Sequence, residues 1–509
     1  MTKFKKLIAL RIFSQTLFFL LFLYVFWFTA YPLRSALPPD IFFTTDPNIM
    51  IFTSISERLL LPGLLYSAAM LVLTFVLGRF FCGWVCPLGA MTDAVNTFRR
   101  WKNGLKEAAN RKVRPIKYFL LALLLVSAVL GVQAAWIFDP LVIAARFISL
   151  NLIPAITFLT EKLFIFLMRD MHVRGPVYDI YHVLKTSVLG VKVFYFANAV
   201  VIFLYFILIV GAALLVARIW CRALCPLGAI YSYIAGFSLL RRVVVKCTNC
   251  GLCVRDCRMG AIKDGGSYLK RECILCMDCV YDCVAGKTKF SFAGNDLRSG
   301  LKEPAVKTDA GTGGVSRRDF LFLIFGSAVF PGFLKQKRGA LRAPVIRPPA
   351  ALREDEFVDR CVRCGNCMKV CPTNGLQPVM AETGIEGIWT PKLVPEIGYC
   401  EYNCNLCGQV CPTGAIRRLS IEDKKNIKLG TANIDRSICI PWAQGKGCIV
   451  CEEHCPVPEK AIKLIASNVK GGILEKPVID AELCVGCGLC QNKCPVRPVR
   501  AVTVTPGGS

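Results

Sequence analysis

The stretch CVRCGNCMKVCP, residues 361–372, decides how this chain is read. Its cysteines, Cys361, Cys364, Cys367 and Cys371, follow the spacing C-x2-C-x2-C-x3-C. Three thiolates this close along a chain wrap one region of an iron–sulfur cubane in a tight loop. The fourth opens the next turn and points at a neighbouring cluster. Structural zinc sites use two separated cysteine pairs instead. Three cysteines at this spacing also cannot all make unstrained disulfides with each other. The same spacing recurs at Cys247, Cys250, Cys253, Cys257; at Cys273, Cys276, Cys279, Cys283; and at Cys484, Cys487, Cys490, Cys494. Two variants have a longer first gap: Cys400, Cys404, Cys407, Cys411 and Cys439, Cys448, Cys451, Cys455. Pro372, Pro412, Pro456 and Pro495 follow four of the quartets, while Arg258 and Val284 stand at that position in the first two. The spacing predicts six [4Fe–4S] clusters.

The six quartets leave four of the 28 cysteines. Cys82 and Cys86 lie in FCGWVCPLGA, and Cys221 and Cys225 in WCRALCPLGA. A structural reading is available, because cysteine is often buried and proline ends helices. The repetition of C-P-L-G-A argues for a duplicated functional turn. That turn would form one further metal site or a redox-active dithiol group.

Composition sets the surroundings. The chain has 509 residues, 54 % of them hydrophobic, and a mean hydropathy of +0.49. Disorder needs low hydrophobicity and is excluded; a small disulfide-stapled scaffold is excluded by length. The three histidines are His172, His182 and His454, and no C-x-x-C-H occurs. Haem chemistry therefore has no ligand pairs to use. The net charge is +27. Six oxidised cubanes at about −2 each would bring it to roughly +15. The basic excess therefore balances clusters and marks cytoplasmic loops, and it implies no nucleic acid.

Four apolar runs, 11–31, 59–81, 118–138 and 193–217, have the length of bilayer spans. The loop after the second is rich in Lys and Arg, which places it and the N-terminus in the cytoplasm. Residues 139–192, broken by Pro154, Glu161 and Lys162, read as a non-spanning outer segment, a re-entrant or interfacial helix pair. The second and fourth runs then both point inward and end in the C-x-x-x-C-P motifs. The expected fold is a polytopic α-helical membrane domain with α+β ferredoxin-like modules. Its parts are a membrane domain over 1–240, a cytoplasmic two-cluster module over 241–290 and a linker over 291–315. A signal or anchor helix over 316–335 and a four-cluster domain over 351–509 complete it. Arg317 and Arg318, in SRRDFL, form the core of a twin-arginine export signal. Export would carry the last domain, already folded, to the periplasm.

With these motifs in hand, residues 1–290 resemble the quinol-dehydrogenase membrane subunit of periplasmic nitrate reductase systems. Residues 315–509 resemble that subunit's exported four-cluster ferredoxin partner, so the chain looks like a fusion of the two. The resemblance implies a protein of the bacterial inner membrane that oxidises quinol from the quinone pool. Electrons would pass to a periplasmic reductase or c-type cytochrome, with a cytoplasmic donor or acceptor as a further partner. Spacing alone implies only membrane-bound electron transfer. Two other functions fit it: transfer from ferredoxin to quinone, and reduction of a metal or cofactor during assembly of another enzyme. In each two-cluster module the fourth cysteine is expected to serve the other cluster. In the last domain that predicts pairing of the first quartet with the second and of the third with the fourth. Pairing of first with fourth is the rival.

Overall fold

The computed structural model describes residues 2–33, 35–98, 107–169, 175–186, 194–244, 247–263, 266–283, 288–292, 344–380, 382–469 and 472–507. The twin-arginine segment 316–335 lies outside them, as does nearly all of the linker 291–315. The chain divides into two compact units. The first comprises Met1–Val25, Asp40–Phe147 and Val201–Phe333; the second comprises Phe26–Pro39, Ile148–Val200 and Leu334–Ser509.

The first unit is a helical bundle. Its helices are α1 (Thr2–Phe28), α2 (Ile41–Thr44), α3 (Pro47–Glu57), α4 (Leu64–Leu77), α5 (Phe80–Trp84), α6 (Pro87–Phe98) and α7 (Glu107–Val129). They continue with α8 (Pro140–Phe147), α11 (Ala199–Leu215), α12 (Ile219–Ala223) and α13 (Pro226–Ala235). Helices α4 and α11 and the second half of α1 carry no charged residue, the pattern of a helix with no water-facing stripe. Helix α13 packs on α3, α4 and α7, and α6 packs on α8. A two-stranded antiparallel sheet closes the unit, with β1 (Leu240–Val244) on β2 (Thr288–Phe292) and Leu240 opposite Phe292.

Among the described residues, two helices are long and apolar enough to cross a bilayer, Lys6–Phe28 and Pro140–Arg169. Leu64–Leu77 and Ala199–Leu215 are apolar but shorter. The run 59–81 is cut back because Gly63 precedes its helix and Gly78, at φ +85°, ends it. The run 118–138 stops being α-helical at Val129 and finishes in a 3₁₀ turn over Ala135–Ile137. The outer segment departs from expectation in the other direction. Pro140–Arg169 is one continuous helix, with a π-helical turn at Ile148–Leu152. Pro154 does not break it, because it follows directly on the π-helical turn Ile148–Leu152, where the regular ladder of hydrogen bonds is already interrupted; α9 (Ile153–Arg169) continues from there.

The second unit pairs α9 with α10 (Pro176–Leu184); Lys185 bonds Glu161 at 3.1 Å and the Tyr181 hydroxyl at 3.0 Å. Its larger part is a run of ferredoxin-like modules. In one, Ala351 pairs with Ile416 on either side of the first two quartets. In the other, β5 (Gly430–Ile434) pairs antiparallel with β8 (Val502–Pro506) on either side of the last two. The β1–β2 pair brackets the N-terminal quartets in the same way. Thus three modules of two quartets are each closed by their own ends. The long first gap of the third C-terminal quartet holds a π-helical turn, Ile440–Gln444. Its Trp442 donates to the Pro477 carbonyl of β7 (Gly472–Ile479), which pairs with β6 (Ile462–Val469).

Candidate functional site

The quartets form cavities. One of about 390 Å³ is lined by Cys257, Cys273, Cys276 and Cys279. Another of about 360 Å³ is lined by Cys361, Cys364, Cys367 and Cys411, and one of about 410 Å³ by Cys371, Cys400, Cys404 and Cys407. A fourth of about 340 Å³ is lined by Cys455, Cys484, Cys487 and Cys490. Each takes three sulfurs from one quartet and one from its neighbour. The remaining members behave alike: Cys439 lies within electrostatic reach of Cys448 and Cys494, and Cys253 within reach of Cys247 and Cys250. Cys283 is half-buried at the end of its loop. Cys371 and Cys494 serve different modules, which is the sequential pairing and not the nested one.

The donor set fits iron–sulfur clusters. Four thiols around an apolar cavity are what a cubane needs. Among the described residues no three His, Cys, Asp or Glu side chains close on a single metal ion. Backbone N–H groups already point at the sulfurs: Ala261 at Cys257, Ile416 at Cys411 and Ala432 at Cys484, at 3.3–3.5 Å. Such bonds tune cluster potential.

The C-terminal cavities form a series. Cys407 lies near Cys367 electrostatically, and the Cys400 N–H donates to the Cys487 carbonyl at 2.8 Å. Cys451 lies near Cys490. The order is therefore first quartet, second, fourth, third. At the first quartet, Asn366 donates to the Pro39 carbonyl at 3.1 Å, and Gly365 lies against Leu150. Gln377 and Asn374 donate to the Tyr195 carbonyl at 3.0 and 2.7 Å. This end of the series rests on chain segments that flank apolar helices of the same unit.

In the first unit the four remaining cysteines come together. Cys82, Cys86, Cys221 and Cys225 are all buried and lie within electrostatic reach of one another. The C-P-L-G sequence has a local reason. Cys225 caps α13: Pro226 takes the first helical position, and the Gly228 N–H donates to the Cys225 sulfur at 3.2 Å. The proline thus begins a helix; it does not end one, as the structural reading of the motif had it. Two fully buried arginines cross over between the repeats. Arg218, which precedes the second motif, donates to the Cys82 carbonyl and grips Asp93 through two bonds of 2.8 and 2.7 Å. Arg79, which precedes the first motif, lies against Gly228 and donates to Glu272 at 3.0 Å. Each repeat holds its partner's motif. Spacing could not reveal these arginines, although both stand three residues before a cysteine.

The same residues tie the N-terminal cluster module to the bundle. Glu272 also bonds Lys117 at 2.6 Å. Burial pushes the Glu272 carboxyl up, and Lys117 and Arg79 overcome that and hold it at about 2. Arg11 donates to the Cys276 carbonyl and to Asp278, and Trp84 donates to the Leu275 carbonyl. Cys276 therefore sits directly beneath the first repeat. Cys247 and Cys250 are exposed at the far side of the module.

These sites define a class, an electron-transfer protein that moves charge along iron–sulfur clusters. Residues 59–106 and 198–244, which contain the two C-x-x-x-C-P motifs, match the 4Fe-4S binding domain family. Residues 360–415 and 439–497 match the 4Fe-4S dicluster domain family. The chain is 35 % identical over 167 residues to the methylamine utilization ferredoxin-type protein MauM of Methylorubrum extorquens, covering 32 % of this chain and 74 % of that one. It is 33 % identical over 178 residues to the ferredoxin-type protein NapG of Escherichia coli, covering 34 % and 75 %. It is 28 % identical over 262 residues to the ferredoxin-type protein NapH of Haemophilus influenzae, covering 48 % and 75 %. The chain belongs to the family of ferredoxin-type iron–sulfur proteins that includes MauM and NapG. The resemblance to both members of a NapG and NapH pair, expected from the motifs, holds. No solved structure matches the chain.

Proposed function

We propose that the protein is a quinol dehydrogenase of the bacterial inner membrane that passes electrons through six [4Fe–4S] clusters to a periplasmic reductase or cytochrome. The observation that carries this is the convergence of Cys82, Cys86, Cys221 and Cys225 inside an apolar bundle that also holds a cluster module. The apolar helices α1, α4 and α11 and the apolar second half of α7 cross the bilayer, the shorter ones reaching its faces through the short helices α5, α6, α12 and α13, while Pro140–Arg169, which is also long enough to cross, is read as lying on the outer side. The 24 quartet cysteines are the cluster ligands, and the four membrane cysteines form a relay centre as a redox-active dithiol group, the metal alternative having no three ligands close enough together among the described residues. A relay is needed because a hydrocarbon core is about 30 Å thick and electron tunnelling falls off exponentially with distance. The N-terminal module faces the cytoplasm. Arg317 and Arg318 direct the last domain to the periplasm, where the first quartet takes electrons from the membrane part and the third delivers them.

The chain's own residues hold and insulate this path. Arg79 and Arg218 fix the four thiols against each other, and Trp84 and Arg11 hold the N-terminal module against α1 and α5. When bound, the clusters supply one-electron carriers. The reverse direction, from a cytoplasmic ferredoxin to quinone, is favoured by one observation: the exposure of Cys247 and Cys250, which offers a soluble donor a short path. The test is anaerobic mixing of the purified, cluster-loaded protein with a menaquinol analogue. Cluster reduction by the quinol supports the dehydrogenase. No reduction by quinol, together with rapid reduction by low-potential ferredoxin, overturns it in favour of the reverse direction.

A further inference from the structure

The interior of the bundle holds a second polar group that no cysteine motif explains. Asp46, which caps α3, accepts the Asn48 N–H at 2.9 Å. The Asn48 side-chain amide donates to Asp139 Oδ2 at 2.9 Å. Asp139 Oδ1 accepts the N–H groups of Leu141 and Val142, at 2.9 and 3.0 Å. Asp46 and Asp139 are 1 % and 0 % exposed. An ionisable group in an apolar bundle is costly and is kept for a task.

The two carboxyls differ in what they lack. Both oxygens of Asp139 take N–H donors, which favours its charged form. Asp46 Oδ2 is buried and takes none. Among the described residues of this unit, the other carboxylates of the cysteine region are committed elsewhere, Asp93 to Arg218 and Glu272 to Lys117 and Arg79. Asp46 Oδ2 has no N–H or O–H donor and lies against the Asp139 carboxyl, so the buried pair holds one proton between them. A second unsatisfied group faces it. Tyr231 of α13 is fully buried, its hydroxyl carries no hydrogen bond, and it lies within electrostatic reach of Asp46, Asp139, Cys82 and Cys86. The Tyr231 ring also stacks near Phe81, the neighbour of Cys82, at 5.6 Å between centroids. Carboxyl pair, tyrosine and cysteines therefore form one continuous polar track through apolar packing.

We propose that this track is the site of hydroquinone oxidation, with Asp46 as its proton acceptor and Tyr231 as the residue that positions the headgroup by a hydrogen bond. The proposal rests on the quinol-dehydrogenase reading and names the residues of that site. The balance is as follows. Oxidation of one hydroquinone to quinone releases two electrons and two protons. In each one-electron step one quinol O–H bond breaks and one O–H bond forms on Asp46 Oδ2. The proton the pair already shares leaves for water as the new O–H bond forms, so the pair holds one proton again before the second step. Each electron leaves singly to an oxidised iron–sulfur cluster by way of the cysteine centre. Asp139, anchored by three donors, is the fixed anion that makes room for one proton in the pair.

The test uses the full chain in membranes, anaerobic, with a menaquinol analogue as the probe and cluster reduction as the readout. Dithionite reduction first checks that every variant carries its clusters. Asp46→Asn keeps the helix cap and should slow quinol-driven reduction by about 10²-fold. The residual rate should gain a large solvent deuterium effect, and Asp46→Glu should restore most of it. Tyr231→Phe should raise the quinol concentration needed for half-maximal rate. Wild-type rate and isotope effect in Asp46→Asn, beside an active wild type, would overturn the proposal and leave the quinol reading standing. Failure of the wild type itself to oxidise quinol would overturn both.

Discussion

Arg79 and Arg218 are the residues on which the cysteine centre depends. Each is fully buried and bonded to one carboxylate; Arg218 also donates to the Cys82 carbonyl of the opposite repeat, and Arg79 lies against Gly228 of the other. Removing one partner of a buried ion pair strands the other, at about 3–5 kcal/mol. Arg218→Ala should therefore destabilise the first unit by that order. The check is the thermal midpoint of the detergent-solubilised protein, followed by loss of the N-terminal cluster absorbance. An unchanged midpoint would show that the crossed arginines carry no structural weight. The glycines give a finer prediction. A Cβ on Gly228 would come within 3.0 Å of the Arg79 guanidinium, and one on Gly89 within 3.0 Å of the Cys82 carbonyl. Gly89→Ala should be the worse of the two. A carbonyl in a helix cannot move aside, whereas a guanidinium can, and overpacking costs about 1–3 kcal/mol. Equal midpoints in the two variants would argue against that ranking.

At the scale of elements, the modules interlock through their fourth cysteines. Cys411 lines the cavity of the first C-terminal quartet, and Cys371 that of the second. Cys411→Ser should therefore perturb the cluster held by Cys361, Cys364 and Cys367, at the end of the series that rests on Pro39 and Leu150. Electron paramagnetic resonance of the reduced protein tests this. A changed signal from the second cluster, with the first unaltered, would contradict the exchange. The triplets were legible in the sequence because three ligands of each site lie close along the chain, whereas the fourth comes from the neighbouring quartet, as the general rule for two-cluster modules led one to expect. The bond of Arg218 to Cys82 and that of Arg79 to Glu272 were not legible, since they join residues 136 and 193 apart. Nor was the bond between Asn48 and Asp139, which spans 91 residues and leaves no periodic trace. Helix limits were half legible. Hydropathy located α4, but Gly63 and Gly78 set its ends, and Pro154 reads as a breaker although a π-helical turn beside it carries the helix past.

At the scale of the whole molecule, two predictions concern what the chain carries and where it is placed. Anaerobically prepared protein should contain about 24 iron atoms per chain, and a much lower value under cluster-preserving conditions would remove at least one site. Arg317→Lys with Arg318→Lys should keep a reporter fused after residue 509 in the cytoplasm; continued export of the double variant would exclude the twin-arginine route. The composition of the second unit has a consequence in time. Pro39, Leu150 and Tyr195 receive their partners from Asn366, Gly365 and Gln377, the first pair separated by 327 positions. A ribosome finishes the amino-terminal part of the chain long before those partners exist. During synthesis the two backbone carbonyls and the leucine wait uncovered, and the seat for the first C-terminal cluster is complete only when the last third of the chain arrives, already folded. Truncated or stalled chains should thus be recognised by quality-control proteases through this seat, and a separately made C-terminal half should shield it.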